Sequence, residues 1–280
     1  MSSMQRHGRA LAVVIGALSV VAFAGATALA GKGLKTKSAT ESIDPGENGS
    51  ATAKCKRGTK AVSGGFEAEF DPAGAILLTT ESRRTSGREW GSTAYSASPE
   101  AGDLTSFAYC RDQKLKTKSA TTEVDPGELA SVTARCRRGE KAVSGGFSAD
   151  EIASGGPQFL LVRSLKQGKR EWTVAAYNAG SAEGDLTAYV HCHEGKRVKT
   201  REAEGTLGSG EIDSVEARCK RKETLLAGGF DNGSNWTTTG AYQIASHRSG
   251  KRSWEVTAYG LGVDRPMTAY AYCEKKKKKK

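Results

Sequence analysis

The sequence predicts an all-β protein: three tandem small antiparallel β-sandwich or barrel-like modules, each with one intra-module disulfide. Three observations carry that expectation. Past residue 30 helical periodicity is hard to find, and short alternating runs are broken by Gly, Pro, Asp and Ser. The stretch KAVSGGF at 60–66 returns at 141–147, and a worn copy, TLLAGGF, stands at 224–230. The cysteines keep the same step: Cys55, Cys136 and Cys219 form one series, and Cys110, Cys192 and Cys273 the other.

The chain opens on a targeting segment. Arg6 and Arg9 precede the apolar run LAVVIGALSVVAFAGATALA, which ends in Ala28-Leu29-Ala30 before Gly31. A basic region, an apolar stretch and a small-x-small end make residues 1–30 a secretory signal peptide. An uncleaved anchor is the alternative, because a run of this length just spans a bilayer. Either way residues 31–280 are expected outside the cytoplasm, secreted or cell-surface associated. After removal of the signal no segment is expected to span a membrane.

An even number of cysteines, two per repeat, in an exported chain argues for three disulfides. Six cysteines allow 15 connectivities, and the repeat selects Cys55–Cys110, Cys136–Cys192 and Cys219–Cys273. The competing zinc site lacks any CxxC pair or spaced histidine partner. Other repeated words place the boundaries. LKTKSAT stands at 34–40 and 115–121, REW at 88–90 and 170–172 with SWE at 253–255, and GDLT at 102–105 and 184–187. The modules are then 34–110, 115–192 and 197–273, with 274–280 a lysine tail expected to be disordered by self-repulsion. A period near 80 residues is too long for a solenoid unit and suits a repeated small domain.

Within the second module six strands are expected at roughly 115–124, 128–137, 141–150, 157–166, 170–179 and 185–192. The connections DPGE, RRGE, KQGK and AGSAEGD carry turn chemistry, and strands joined so tightly run antiparallel. In the third strand Val143, Gly145 and Phe147 share a face, as do Val62, Gly64, Phe66 and Leu226, Gly228, Phe230. A glycine between large apolar residues leaves room for something bulky. The repeat supplies Trp90, Trp172 or Trp254, expected to pack over the glycine pair near the disulfide; a ligand-binding tryptophan is the functional alternative.

The ordered pattern of Cys, basic turn, Val-x-Gly-Gly-Phe, Trp, Ala-Tyr/Asn and Ala-Tyr-x-Cys is similar to repeat modules of secreted actinobacterial proteins. The resemblance covers all three modules, although Ser253 stands where the others have Glu89 and Glu171. It implies an exported β module with no established activity and no catalytic residues to carry over.

Surfaces that could bind are few. If the last two strands of a module align as a hairpin, each has an aromatic group on the face opposite its tryptophan. The three groups are Tyr95, Phe107, Tyr109; Tyr177, Tyr189, His191; and Tyr259, Tyr270, Tyr272. These serve either module packing or sugar stacking. The formal charge is +11; without residues 1–30 and Lys275–Lys280 it falls to +3, so the body lacks the basicity of a nucleic-acid binder. Local clusters remain at Lys56-Arg57, Arg137-Arg138, Lys220-Arg221, and before each tryptophan, as at Lys166, Lys169 and Arg170. Lys275, Lys276, Lys277, Lys278, Lys279 and Lys280 are candidates for an anionic surface. In the loop after the third Gly-Gly-Phe, Trp236 with Asn232, Asn235 and Thr237 is a candidate ligand site, since rigid scaffolds present binding loops.

No HExxH, GxSxG, phosphate-cradling glycine loop or outstanding carboxylate pair appears. His191 and His193 flank Cys192 in one module only, and no cofactor or metal is expected. The expected function is therefore a non-catalytic cell-envelope or extracellular binding module contacting anionic or sugar polymers. A purely structural repeat protein without a ligand and an envelope hydrolase are the alternatives.

Overall fold

The computed structural model describes residues 34–71, 74–152, 156, 158–195, 198–233 and 240–275. Each repeat contributes six strands. Module 1 has β1 (Lys35–Ile43), β2 (Asn48–Lys54), β3 (Lys60–Ala68), β4 (Leu77–Arg84), β5 (Glu89–Ser96) and β6 (Gly102–Arg111). Module 2 has β7 (Lys116–Val124), β8 (Leu129–Arg135), β9 (Glu140–Ala149), β10 (Phe159–Gln167), β11 (Glu171–Asn178) and β12 (Gly184–Glu194). Module 3 has β13 (Lys199–Leu207), β14 (Ile212–Arg218), β15 (Glu223–Asp231), β16 (Ala241–His247), β17 (Ser253–Gly260) and β18 (Arg265–Lys275). Among the described residues there is no helix, and so none long and apolar enough to cross a membrane.

Each module is a sandwich of two three-stranded halves. In module 1 one half runs β1-β6-β3 and the other β2-β5-β4. The first turn therefore carries the chain across the sandwich instead of closing a hairpin, with Gly46 and Gly127 at φ +76° and +77°, where a side chain would be strained. Strands β4 and β5 do form a hairpin, but β5 and β6 lie in opposite halves. The aromatic groups of the last two strands are thus divided between two sheets, and the alignment expected for them does not occur. Alternation explains the halves: β8 buries Val132 and Ala134 and exposes the residues between them.

The halves of different modules fuse. The three six-stranded sheets run β1-β6-β3-β16-β17-β14, β2-β5-β4-β9-β12-β7 and β13-β18-β15-β10-β11-β8. Every sheet draws three strands from each of two modules, so the three modules close cyclically into one unit, Gly33–Lys280. Joining occurs at three short antiparallel contacts, where Phe66 faces Ser246, Phe147 faces Ser82 and Phe230 faces Ser164.

This closure explains why the glycines come in pairs. A Cβ on Gly64, Gly145 or Gly228 would lie 2.2, 2.1 or 2.0 Å from the indole of Trp90, Trp172 or Trp254 across the sandwich. A Cβ on Gly65, Gly146 or Gly229 would lie 2.3, 2.3 or 2.5 Å from the carbonyl oxygen of Ser246, Ser82 or Ser164, in the neighbouring module. The first glycine admits the module's own tryptophan and the second admits the neighbour's backbone. Each indole N–H donates to a serine on its own half-sheet: Trp90 to Ser82 at 2.9 Å, Trp172 to Ser164 and Trp254 to Ser246 at 3.0 Å. One serine thus caps its own tryptophan through its hydroxyl and meets the next module's glycine through its carbonyl.

The disulfides pair as the repeat requires: Cys55–Cys110, Cys136–Cys192 and Cys219–Cys273. In module 1 the bridge shares a buried cluster with Trp90, Ala53, Ala61 and Ala108. Where the modules meet, Phe147 stands edge-on to Phe66 and to Phe230, with centroids 5.9 and 6.5 Å apart. Three disulfides in so small a body fit an oxidising, extracytoplasmic environment.

Candidate functional site

The seams between modules hold the most distinctive chemistry. At each one an aromatic group from a module's last strand crosses to the next module's tryptophan. Tyr109 meets Trp254 at 5.7 Å, Tyr272 meets Trp172 at 5.5 Å and His191 meets Trp90 at 5.5 Å, all edge-on. The tyrosine hydroxyls are satisfied by backbone donors of the neighbour, the amides of Arg248 and Lys166, each at 2.7 Å. Burial drives both phenols well above their ordinary pKa. His191 breaks the pattern. Its Nδ1 lies 3.1 Å from the Thr117 hydroxyl, while its Nε2 is buried without a hydrogen-bond partner among the described residues. Burial first, and the nearby Arg84 charge second, push its pKa down to about 3.

Two seams open into clefts at equivalent positions. The one between modules 1 and 2 has a volume of about 510 Å³ and is lined by Lys60, Arg84, Lys114, Lys116, Glu140 and Glu194, among others. Lys116 Nζ sits 3.0 Å from both Glu140 and Glu194. These two carboxylates raise the Lys116 pKa, with Glu194 the larger cause. The cleft between modules 2 and 3, of about 600 Å³, is lined by Lys141, Lys166, Lys169, Lys199 and Arg201 over Ala142 and Val198. Among the described residues no carboxylate is part of its lining. Arg201 is held from behind by Glu223, at 2.7 and 3.2 Å. Lys141, Lys169 and Lys199 make no ion pair among the described residues. Arrayed cations of one sign in a concave site concentrate anions from solution.

No family model matches the chain, and no curated protein matches it.

The residues singled out from the sequence fall in several places. Lys166 and Lys169 line the second cleft together with Lys199 and Arg201, the basic positions of the third module's first strand. Lys141, Lys199 and Arg201 were not singled out; the recurrence of LKTK as VKTR at 198–201 was the available signal. Lys56, Arg57, Arg137, Arg138, Lys220 and Arg221 are exposed turn residues. Of the aromatic groups, Tyr109, His191 and Tyr272 are buried at the seams, and Phe107 and Tyr189 pack on His247 and Arg83 of neighbouring modules. Tyr95, Tyr177 and Tyr259 of the fifth strands and Tyr270 of the last are half-buried; Tyr259 lies tilted against Phe70 of module 1 at 4.8 Å and stacks on Tyr242 of its own module at 6.3 Å.

Asn232 is fully buried, its Nδ2 donating to Gln243 at 2.9 Å, so its side chain faces the interior. Trp236, Asn235 and Thr237 lie outside the described residues, as do Lys276, Lys277, Lys278, Lys279 and Lys280; Lys275 ends β18 and is exposed. His193 lines the first cleft while His191 faces inward, away from a shared site. Cys136, Glu140 and Cys192, like Cys219, Glu223 and Cys273, come within ligand distance of one another, but every sulfur is tied in a disulfide and is no thiolate ligand.

Proposed function

We propose that the protein is an exported, non-catalytic binding protein that contacts anionic polymers outside the cytoplasm. The observation that carries this reading is the cleft between modules 2 and 3, where Lys141, Lys166, Lys169, Lys199 and Arg201 converge; Glu223 is taken up by Arg201, and Lys141, Lys169 and Lys199 make no ion pair among the described residues. The disulfides support the compartment, and the rigid cyclic scaffold supports a role in presenting a fixed surface. Closely arrayed lysines are costly to bring together without a counter-charge, and a polyanion supplies one.

The test is direct binding of the oxidised chain 31–280 to soluble polyanions at low and moderate salt. Saturable binding that weakens as salt rises from about 50 to 200 mM supports the reading, because screening shortens the reach of these charges over that range. No binding to any polyanion at low salt refutes it and favours a purely structural repeat protein.

A further inference from the structure

The two clefts share one framework and differ in charge for identifiable reasons. At the first seam Glu194, the residue two past Cys192, clasps Lys116. At the second seam the residue two past Cys273 is Lys275, which lies opposite Glu223 in the β15–β18 register. A carboxylate that closes one cleft is thus replaced by a lysine beside the other. Lys199 and Lys275 sit on adjacent strands, β13 and β18, and Lys275 opens the run of six lysines at 275–280.

We propose that the cleft between modules 2 and 3 is the docking groove for one linear polyanion without bases, and that the equivalent cleft between modules 1 and 2 is not. This rests on the functional reading above and names its ligand class and its place. Three features select an extended polymer over a small anion. The cations that make no ion pair among the described residues come from both sides of the seam, Lys141 and Lys169 from module 2 and Lys199 from module 3. The one guanidinium in the lining, Arg201, already has its fork on Glu223, so no free bidentate clamp awaits a lone phosphate. The floor of Ala142 and Val198 is apolar and offers a single anion no hydrogen bonds, while a polymer's uncharged linkers can lie along it.

Among the described residues the lining also contains no aromatic side chain. Single-stranded nucleic acid is held largely by stacking of bases on aromatic rings. A polymer without bases, a poly(glycerol phosphate) or a polyuronate, fits the lining better.

The experiment titrates the oxidised chain with poly(glycerol phosphate), a polyuronate and single-stranded DNA of matched charge number, and with inorganic phosphate. Five proteins are compared, four of them the parent, Lys141→Glu/Lys199→Glu, Lys60→Glu in the other cleft, and a chain lacking Lys276–Lys280. The milder Lys141→Ala/Lys199→Ala guards against misfolding. The expected result is at least a tenfold loss of polymer affinity in the double reversal, a smaller loss in the same direction for the alanine pair, and less than a twofold change for Lys60→Glu. Which of the two polymers binds more tightly identifies the charged group. Unchanged polymer affinity in both cleft double variants, equal losses in the two clefts, saturable phosphate binding at micromolar concentration, or tighter binding of DNA overturns the assignment. If the parent binds no polymer, the functional reading itself fails. If removal of Lys276–Lys280 abolishes binding while both cleft variants retain it, the functional reading stands and the groove is wrong.

Discussion

A Cβ built on Gly145 would stand 2.1 Å from Cδ2 of Trp172 and 2.5 Å from the carbonyl oxygen of Tyr189. The indole is 2 % exposed and anchored by its own hydrogen bond to Ser164, so it has no room to retreat. The tryptophan and the glycine are a matched pair across the two halves of the sandwich.

Substitution of Gly145 by Val is therefore expected to unfold the protein or lower its melting temperature sharply. Overpacking a well-filled core costs roughly 1–3 kcal/mol and sometimes more. At about 2–4 °C per kcal/mol for a domain of this size, the shift should be roughly 2–12 °C. An unchanged melting temperature would remove the glycine–tryptophan account.

The neighbouring glycine makes a different prediction. A Cβ on Gly146 would meet the backbone of Ser82 and Arg83 in module 1 and no tryptophan. Gly146→Ala should loosen the seam between modules 1 and 2 while leaving each sandwich closed by its disulfide. Limited proteolysis should then cut within the connection at 111–114 faster than in the parent. Equal cleavage rates, with equal melting temperatures, would show that the seam does not depend on that close approach.

These two glycines also mark where the sequence stopped being readable. The strands were legible: the expected 141–150 and 170–179 match Glu140–Ala149 and Glu171–Asn178 to within a residue or two, because alternation and glycine turns are local signals. The disulfide pairing and the place of Trp172 over Gly145 followed from comparing the repeats with one another. The fusion of β9 with β4 was not legible, because it is a contact of two residue pairs between modules and leaves no periodic trace. The second glycine was its only sign. For the same reason Tyr109, His191 and Tyr272 could be assigned to a strand face but not to a neighbour's tryptophan. The cleft needs Lys141 and Lys199 to come together from different modules, which only the cyclic closure achieves.

The disulfides should be measurable as constraints. Intact mass of the exported protein should show the loss of residues 1–30 and six fewer hydrogens than the fully reduced chain. Replacing both cysteines of one bridge by serine should cost about 4 kcal/mol in the chain-entropy model for a loop of 54–56 residues. Free thiols in the unreduced protein, or a variant as stable as the parent, would contradict the role given to the bridges.

His191 predicts how the protein responds to acid. Its folded pKa lies at about 3, below the ordinary value of 6.5, because the ring is sealed against Trp90 with the Arg84 charge nearby. A proton binds the unfolded chain more tightly than the folded one, so this residue's contribution is complete above pH 6.5 and is lost progressively as pH falls towards 3. A depression of that size is worth a few kcal/mol over the whole window. Tyr109 and Tyr272 show what the same position accepts elsewhere: a phenol on the next tryptophan, its hydroxyl taking a backbone N–H. His191→Tyr places such a hydroxyl in reach of the Arg84 amide and removes both the unpartnered Nε2 and the titration. The variant should be at least as stable as the parent at pH 7 and should lose less stability between pH 6.5 and 4, read as urea midpoints across that range. Identical acid profiles for the two proteins would show that the buried imidazole does not govern the acid limb.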